Sequence, residues 1–180
     1  MAEIHIVAVG RVDWDVLDYL TVTLPDDLGV QCAVSLHRID PALTYNATRL
    51  QYHSTQILAR LLDLPVGAGD KTLGVCDVDL FIPILTFVFG EAQLNNRAAL
   101  ISVHRLRQSF YGLPADERLF YERCEKEAVH ELGHAFGLVH CHRYECVMHF
   151  SNSIEQVDLK RSGFCGACSG RLAASMGNVR

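Results

Sequence analysis

The sequence is poor in basic residues: Lys and Arg number 16 against 21 Asp and Glu in 180 residues, a formal net charge of −5. Without a basic excess or a basic stripe the chain is a poor candidate for general binding to a phosphate backbone, and no nucleic-acid partner is expected. Long apolar runs are missing too. A bilayer span needs roughly 20 such residues. The richest patch, Leu80 to Phe89, is interrupted by Pro83 and Thr86, so no membrane association is expected. The opening MAEIHIVAVGRVDWD has an early acid and no basic segment before its apolar run. That is not the pattern of a secretory signal, and a cytoplasmic chain is expected. There is no internal repeat, low-complexity tract or Pro/Gly/Ser-rich linker. The length suits one compact domain over 1–180, divided into an N-terminal part, 1–137, and a C-terminal part, 138–180.

Hydrophobic residues make up 49% of the chain, enough to fill a core and to exclude a disordered polymer. Cysteine is the unexpected abundance. There are seven, an odd number, in a chain with no secretory signal, a context in which clustered cysteines bind metal more often than they pair. Cys32, Cys76 and Cys124 are scattered among apolar neighbours and read as small core residues. The other four lie between Cys141 and Cys168.

Apolar patterning predicts strands at Ile4–Val9, Val30–Ile39, Leu73–Leu80, Thr86–Phe89 and Ala99–Val103. It predicts helices at Asp13–Leu20 and Thr48–Leu64. A long helix is expected to open at Gly112-Leu-Pro114, with Asp116 and Glu117 in its first turn, and to end near Gly137. After Leu138 the chain loses clear periodicity. This order fits an α/β (α+β) sandwich around a mixed, twisted sheet of about five strands. The tail is too short for a core of its own.

The central motif is His130-Glu131-Leu-Gly-His134-Ala-Phe-Gly137-Leu-Val-His140. Residues four apart on a helix share one face, so His130 and His134 can hold one ion between them. Gly137 supplies the left-handed turn that ends a helix and can swing His140 back as a third ligand. Three protein ligands leave a position open, the arrangement of a catalytic zinc site. Zinc lowers the pKa of a bound water to about 7 and polarises a carbonyl. Glu131, beside the first ligand, is placed to take that water's proton and return it to a leaving amine. His142 and His149 read as surface residues.

Cys141 and Cys146 form a CX4C pair, and Cys165 and Cys168 a CX2C pair, with 18 residues between the pairs. Four thiolates make a closed structural zinc site that would staple the tail in place of a core. Two disulfides, or iron on the same ligands, are the rival readings. Met148 lies two residues past Cys146.

HExxHxxGxxH followed by a methionine resembles the metzincin metallopeptidases. With the cysteines added, His130 to Cys168 has ten fixed positions in 39 residues and is similar to the archaemetzincins. CDVDLFIP and TFVFGEA further upstream resemble that family's third and fourth strands. The resemblance implies a catalytic zinc on His130, His134 and His140, with Glu131 as general base and acid. It implies Met148 as the methionine-turn residue beneath the site and a second zinc on Cys141, Cys146, Cys165 and Cys168, two ions per chain. It also implies an antiparallel edge strand, here Thr86–Phe89, that pairs with an extended peptide. The activity implied is peptide-bond hydrolysis, in some members as aminopeptidases, by a chain expected to be monomeric.

Two other functions fit three histidines around a metal: another zinc hydrolase, such as an RNA-processing nuclease, and a binding module that holds a peptide without cutting it. The charge of −5 argues against RNA. Gly67–Thr72 reads as a turn rather than a phosphate loop. Asp77 and Asp79 read as strand-end polar groups, and Arg97, Arg105 and Arg107 as solvated loop residues.

Overall fold

The computed structural model of the protein describes residues 2–177. The main sheet is built from β1 (Glu3–Val9), β2 (Gln31–Ile39), β5 (Lys71–Cys76), β7 (Gly90–Ala92) and β8 (Ala98–Ser102). Its order is β2-β1-β5-β8-β7. The first four strands are parallel; β7 is antiparallel to β8, with Glu91 opposite Leu100. A small second sheet joins β3 (Tyr45–Asn46), β4 (Gln51–His53) and β6 (Leu80–Phe81).

Strand alternation explains the layering. Ile4, Ile6 and Ala8 of β1 face a core shared with α1 (Trp14–Leu28) and α3 (Glu117–Ala135), whereas Val7 and Val9 face α2 (Ser54–Leu62). Both faces are covered, as parallel strands require. Two further helices, α4 (Ile154–Leu159) and α5 (Gly166–Gly177), follow the active-site motif.

Several expected elements change. The first helix continues from Leu20 to Leu28 because its buried stripe runs on through Leu24 and Leu28; Pro25 lies inside it, and Gly29 at φ +69° ends it. The second helix begins at Ser54, not Thr48. Asn46 Oδ1 accepts from the amides of Thr48 and Arg49, Leu50 adopts φ +56°, and Gln51–His53 becomes β4. The third predicted strand is broken between Cys76 and Leu80, where Asp77 and Asp79 leave the ladder for arginines. Thr86–Phe89 is not a strand: Val88 makes one bridge to Leu80, and the antiparallel edge is Gly90–Ala92. The active-site helix starts after Pro114, with Asp116 as its N-cap, accepting from the Leu119 amide at 3.0 Å. The tail is not irregular. Helices α4 and α5 were hidden because α5 buries only Cys168 and Leu172 among its glycines and serines. Among the described residues no helix is long and apolar enough to cross a membrane.

Candidate active site

His130 and His134 lie on successive turns at the end of α3. Their Nε2 atoms are 3.2 Å apart. The helix stops in a Schellman arrangement: the Leu138 amide bonds to Gly133 O and the Gly137 amide to His134 O, both at 2.9 Å, with Gly137 at φ +95°. That reversal brings His140 alongside, its ring 4.8 Å from that of His134 and 5.4 Å from that of His130. One ring nitrogen from each of the three lies within 4.8 Å of the others.

The second ring nitrogens fix the tautomers. His130 Nδ1 is 2.7 Å from Val147 O, and His134 Nδ1 is 2.7 Å from Leu138 O. A carbonyl only accepts, so each Nδ1 carries the proton and each Nε2 offers a lone pair to the common point. Burial pushes all three imidazoles below their ordinary range, His130 furthest, with the Lys160 ammonium adding to the effect. Neutral imidazoles converging on one point are the donor set that zinc requires, so these residues fit the metal.

Glu131 is buried beside them. Burial pushes its carboxyl well above the usual range; the charge of Glu127 adds to this and that of Lys160 opposes it. Room for Glu131 comes from Gly90 on β7. A Cβ there would lie 2.7 Å from Glu131 Cγ and 2.6 Å from Leu100 O. The groups flank a cleft of about 550 Å³, lined by Leu85–Glu91 on one side, by α3, and by Phe150–Asn152 on the other. Arg49 Nη2 donates to Leu85 O at 2.7 Å and Thr86 O at 3.2 Å, and Gln51 Nε2 donates to Thr86 O at 3.0 Å. Asp79 accepts from Gln51 and, through both oxygens, from Arg105, whose guanidinium covers the Phe87 ring at 4.1 Å. The arginines are therefore not simple solvated loop residues: Arg105 and Arg107 bind Asp79 and Asp77, and Arg97 holds the Leu62 carbonyl.

The four clustered cysteines also converge, one sulfur from each within 4.8 Å, and none is in a disulfide. Cys141 Sγ and Cys165 Sγ are 3.8 Å apart, and Cys146 Sγ accepts from the Cys165 amide at 3.4 Å. A hydrogen bond from the Cys168 amide leads the effects that lower the Cys165 thiol to about 7. Met148 is fully buried under α3; a side chain on Gly133 would strike its sulfur. Of the scattered cysteines, Cys76 and Cys124 are buried and Cys32 is half-buried. His142 is exposed, but His149 is half-buried, with Nδ1 2.9 Å from Cys141 O.

The sequence reading missed Gly90, Arg49, Glu127 and Lys160. Only Glu127 left a trace, four residues before Glu131 on the same helix face.

A histidine triad at a helix end, a methionine packed beneath it and an antiparallel edge strand alongside make this a zinc metallopeptidase of the metzincin type. Known proteins agree. The model of peptidase family M54 matches residues 24–174. An archaemetzincin of Methanocaldococcus jannaschii is 44% identical, across 91% of this chain and 89% of that one. The crystal structure of archaemetzincin from Archaeoglobus fulgidus complexed with malonate superposes with a TM-score of 0.81 at 40% identity, covering 94% of this chain and 99% of that one. The structure from Methanopyrus kandleri gives 0.86 at 36%, covering 98% and 96%. The chain belongs to the archaemetzincins, peptidase family M54.

Proposed function

We propose that His130, His134 and His140 hold the catalytic zinc and that Glu131 is the general base and acid of peptide-bond hydrolysis. Zinc bound there supplies a Lewis acid that acidifies water and polarises the scissile carbonyl. The convergence of three imidazoles, one ring nitrogen from each, beside a buried carboxyl carries this reading. Glu131 takes the proton of the attacking water and passes it to the leaving amine. The outer edge of β7 offers backbone groups to an extended peptide, which the Leu85–Phe89 rim and Phe150 enclose. Cys141, Cys146, Cys165 and Cys168 hold a second, structural zinc, for a total of two per chain, and unpaired thiols of this kind suit a reducing compartment such as the cytoplasm.

The test is a peptide-library digest read by mass spectrometry, with zinc-loaded wild type beside Glu131→Gln and metal content measured on both. Two zinc ions in each protein and cleavage by the wild type alone are expected. Equal cleavage by Glu131→Gln would remove Glu131 from the chemistry. The product ends separate trimming of an N-terminus from internal cutting.

A further inference from the structure

Lys160, just past α4, and Glu127, on α3, form an ion pair in the wall of the cleft, with Nζ 3.2 Å from Oε1. Their side chains are 1% and 4% exposed. Burying two charges is costly, and apolar side chains of the same volume often replace such a pair without loss of stability. Nor is the pair needed to fasten α4 to α3. Arg123 binds Asp158 through both carboxylate oxygens at 2.7 Å, and Lys126 reaches Asp158 O. The position of the pair suggests another role, because Lys160 and Glu127 line the same cavity as His130, Glu131 and His140.

Hydrogen-bond supply in that wall is unbalanced. The Lys160 ammonium has three donors. Two are used, by Glu127 Oε1 and, at 3.4 Å, by His149 O; the third has no partner among the described residues. Ser151 lines the same cavity, and its Oγ is buried with no hydrogen-bond partner. An ammonium and a hydroxyl, both short of an acceptor, thus belong to residues that line the space where the substrate is expected. A carboxylate satisfies both with charge-assisted bonds. A cationic side chain would have to take Glu127 from Lys160 and leave two positive groups in one wall.

We propose that Lys160 and Ser151 form a carboxylate-recognising subsite, oriented by Glu127, that selects peptides carrying an acidic side chain or a free C-terminal carboxylate beside the scissile bond. The proposal rests on the peptidase reading of the same cleft.

The experiment measures peptide binding to zinc-loaded Glu131→Gln by fluorescence anisotropy. The peptides are identical except for Asp, Asn or Lys at one scanned position, each made as free acid and as C-terminal amide. About tenfold tighter binding of Asp over Asn is expected if the side chain is the ligand, or of acid over amide if the terminus is. Lys should bind weakest. Adding Ser151→Ala, which removes a hydroxyl with no partner, should cut that ratio several-fold. The paired change Glu127→Leu with Lys160→Met, which avoids leaving a lone buried charge, should bring it close to one. Equal binding of Asp and Asn together with equal binding of acid and amide, or tighter binding of Lys, overturns the proposal. Charge discrimination without cleavage by the wild type sinks the peptidase reading and leaves the subsite; cleavage without discrimination does the reverse.

Discussion

His130 Nδ1 donates to the carbonyl of Val147 at 2.7 Å, and Val147 stands between Cys146 and Met148. The first ring of one candidate donor set is thus aimed by the residue next to a cysteine of the other. The Cys141 amide, bonded to Met148 O at 2.9 Å, ties the same strip of chain back to His140's neighbour.

Replacing Cys146 by Ser should therefore weaken metal binding at the histidines, not only at the cysteines. Partners that orient metal ligands are typically worth about 10- to 100-fold in affinity. Competition with a graded chelator reads this directly. Loss of one zinc with unchanged affinity for the other would separate the two sites.

Gly90→Ala tests the close approach of β7 to α3. The new Cβ meets a backbone carbonyl, Leu100 O, at 2.6 Å, which cannot rotate away, and Glu131 Cγ at 2.7 Å. The edge strand must shift. A loss of about 1–3 kcal/mol in stability by urea unfolding is expected, with kcat/KM down at least about tenfold as Glu131 moves.

Arg49→Met removes the donor that holds the Leu85 carbonyl and one of the two that hold the Thr86 carbonyl. Among the described residues Arg49 makes no hydrogen bond to the histidine triad or Glu131, so its loss should loosen the rim and not the chemistry. KM for long peptides should rise about fivefold, the worth of roughly 1 kcal/mol, with kcat within about twofold. A fall in kcat with KM unchanged would contradict this.

Asp27 links stability to pH. Burial, then the charges of Glu125 and Asp26, raise its carboxyl from 3.8 to about 6. The folded protein holds this proton more tightly than the unfolded chain, so ionisation costs stability as pH rises from about 4 to about 6, with no further change above that. Asp27→Asn should add about 1 kcal/mol at pH 7, discounted because the group is half-exposed, and nothing at pH 4. Urea midpoints at the two pH values decide it.

What the sequence made legible was local. His130, His134, Gly137 and His140 interact through helix spacing and one turn, so eleven consecutive residues contain the geometry. The cysteines were legible as two short pairs. Lys160 and Gly90 reach the cleft from elements far apart in the chain, and no spacing announces them. Leu50 shows the opposite error: it matched the apolar stripe of a helix, yet it is exposed and adopts φ +56°, which interrupts a right-handed helix, and Gln51–His53 after it pair in the small sheet. The edge strand was placed a few residues early because Thr86–Phe89 is the more β-prone stretch, while pairing with β8 is made by Gly90–Ala92.

Among the described residues every strand lies before residue 103, and every clustered candidate metal donor lies after residue 129. During synthesis those strands are therefore made before His130, the first of the triad; α3, which covers one face of the sheet, is completed only as the triad itself is made, and Cys168 follows. A chain that stops at Ser102 holds these strands but lacks α3 over one face and has no complete donor set of either kind. Metal capture at either candidate set thus has to wait until His140 or Cys168 has been made.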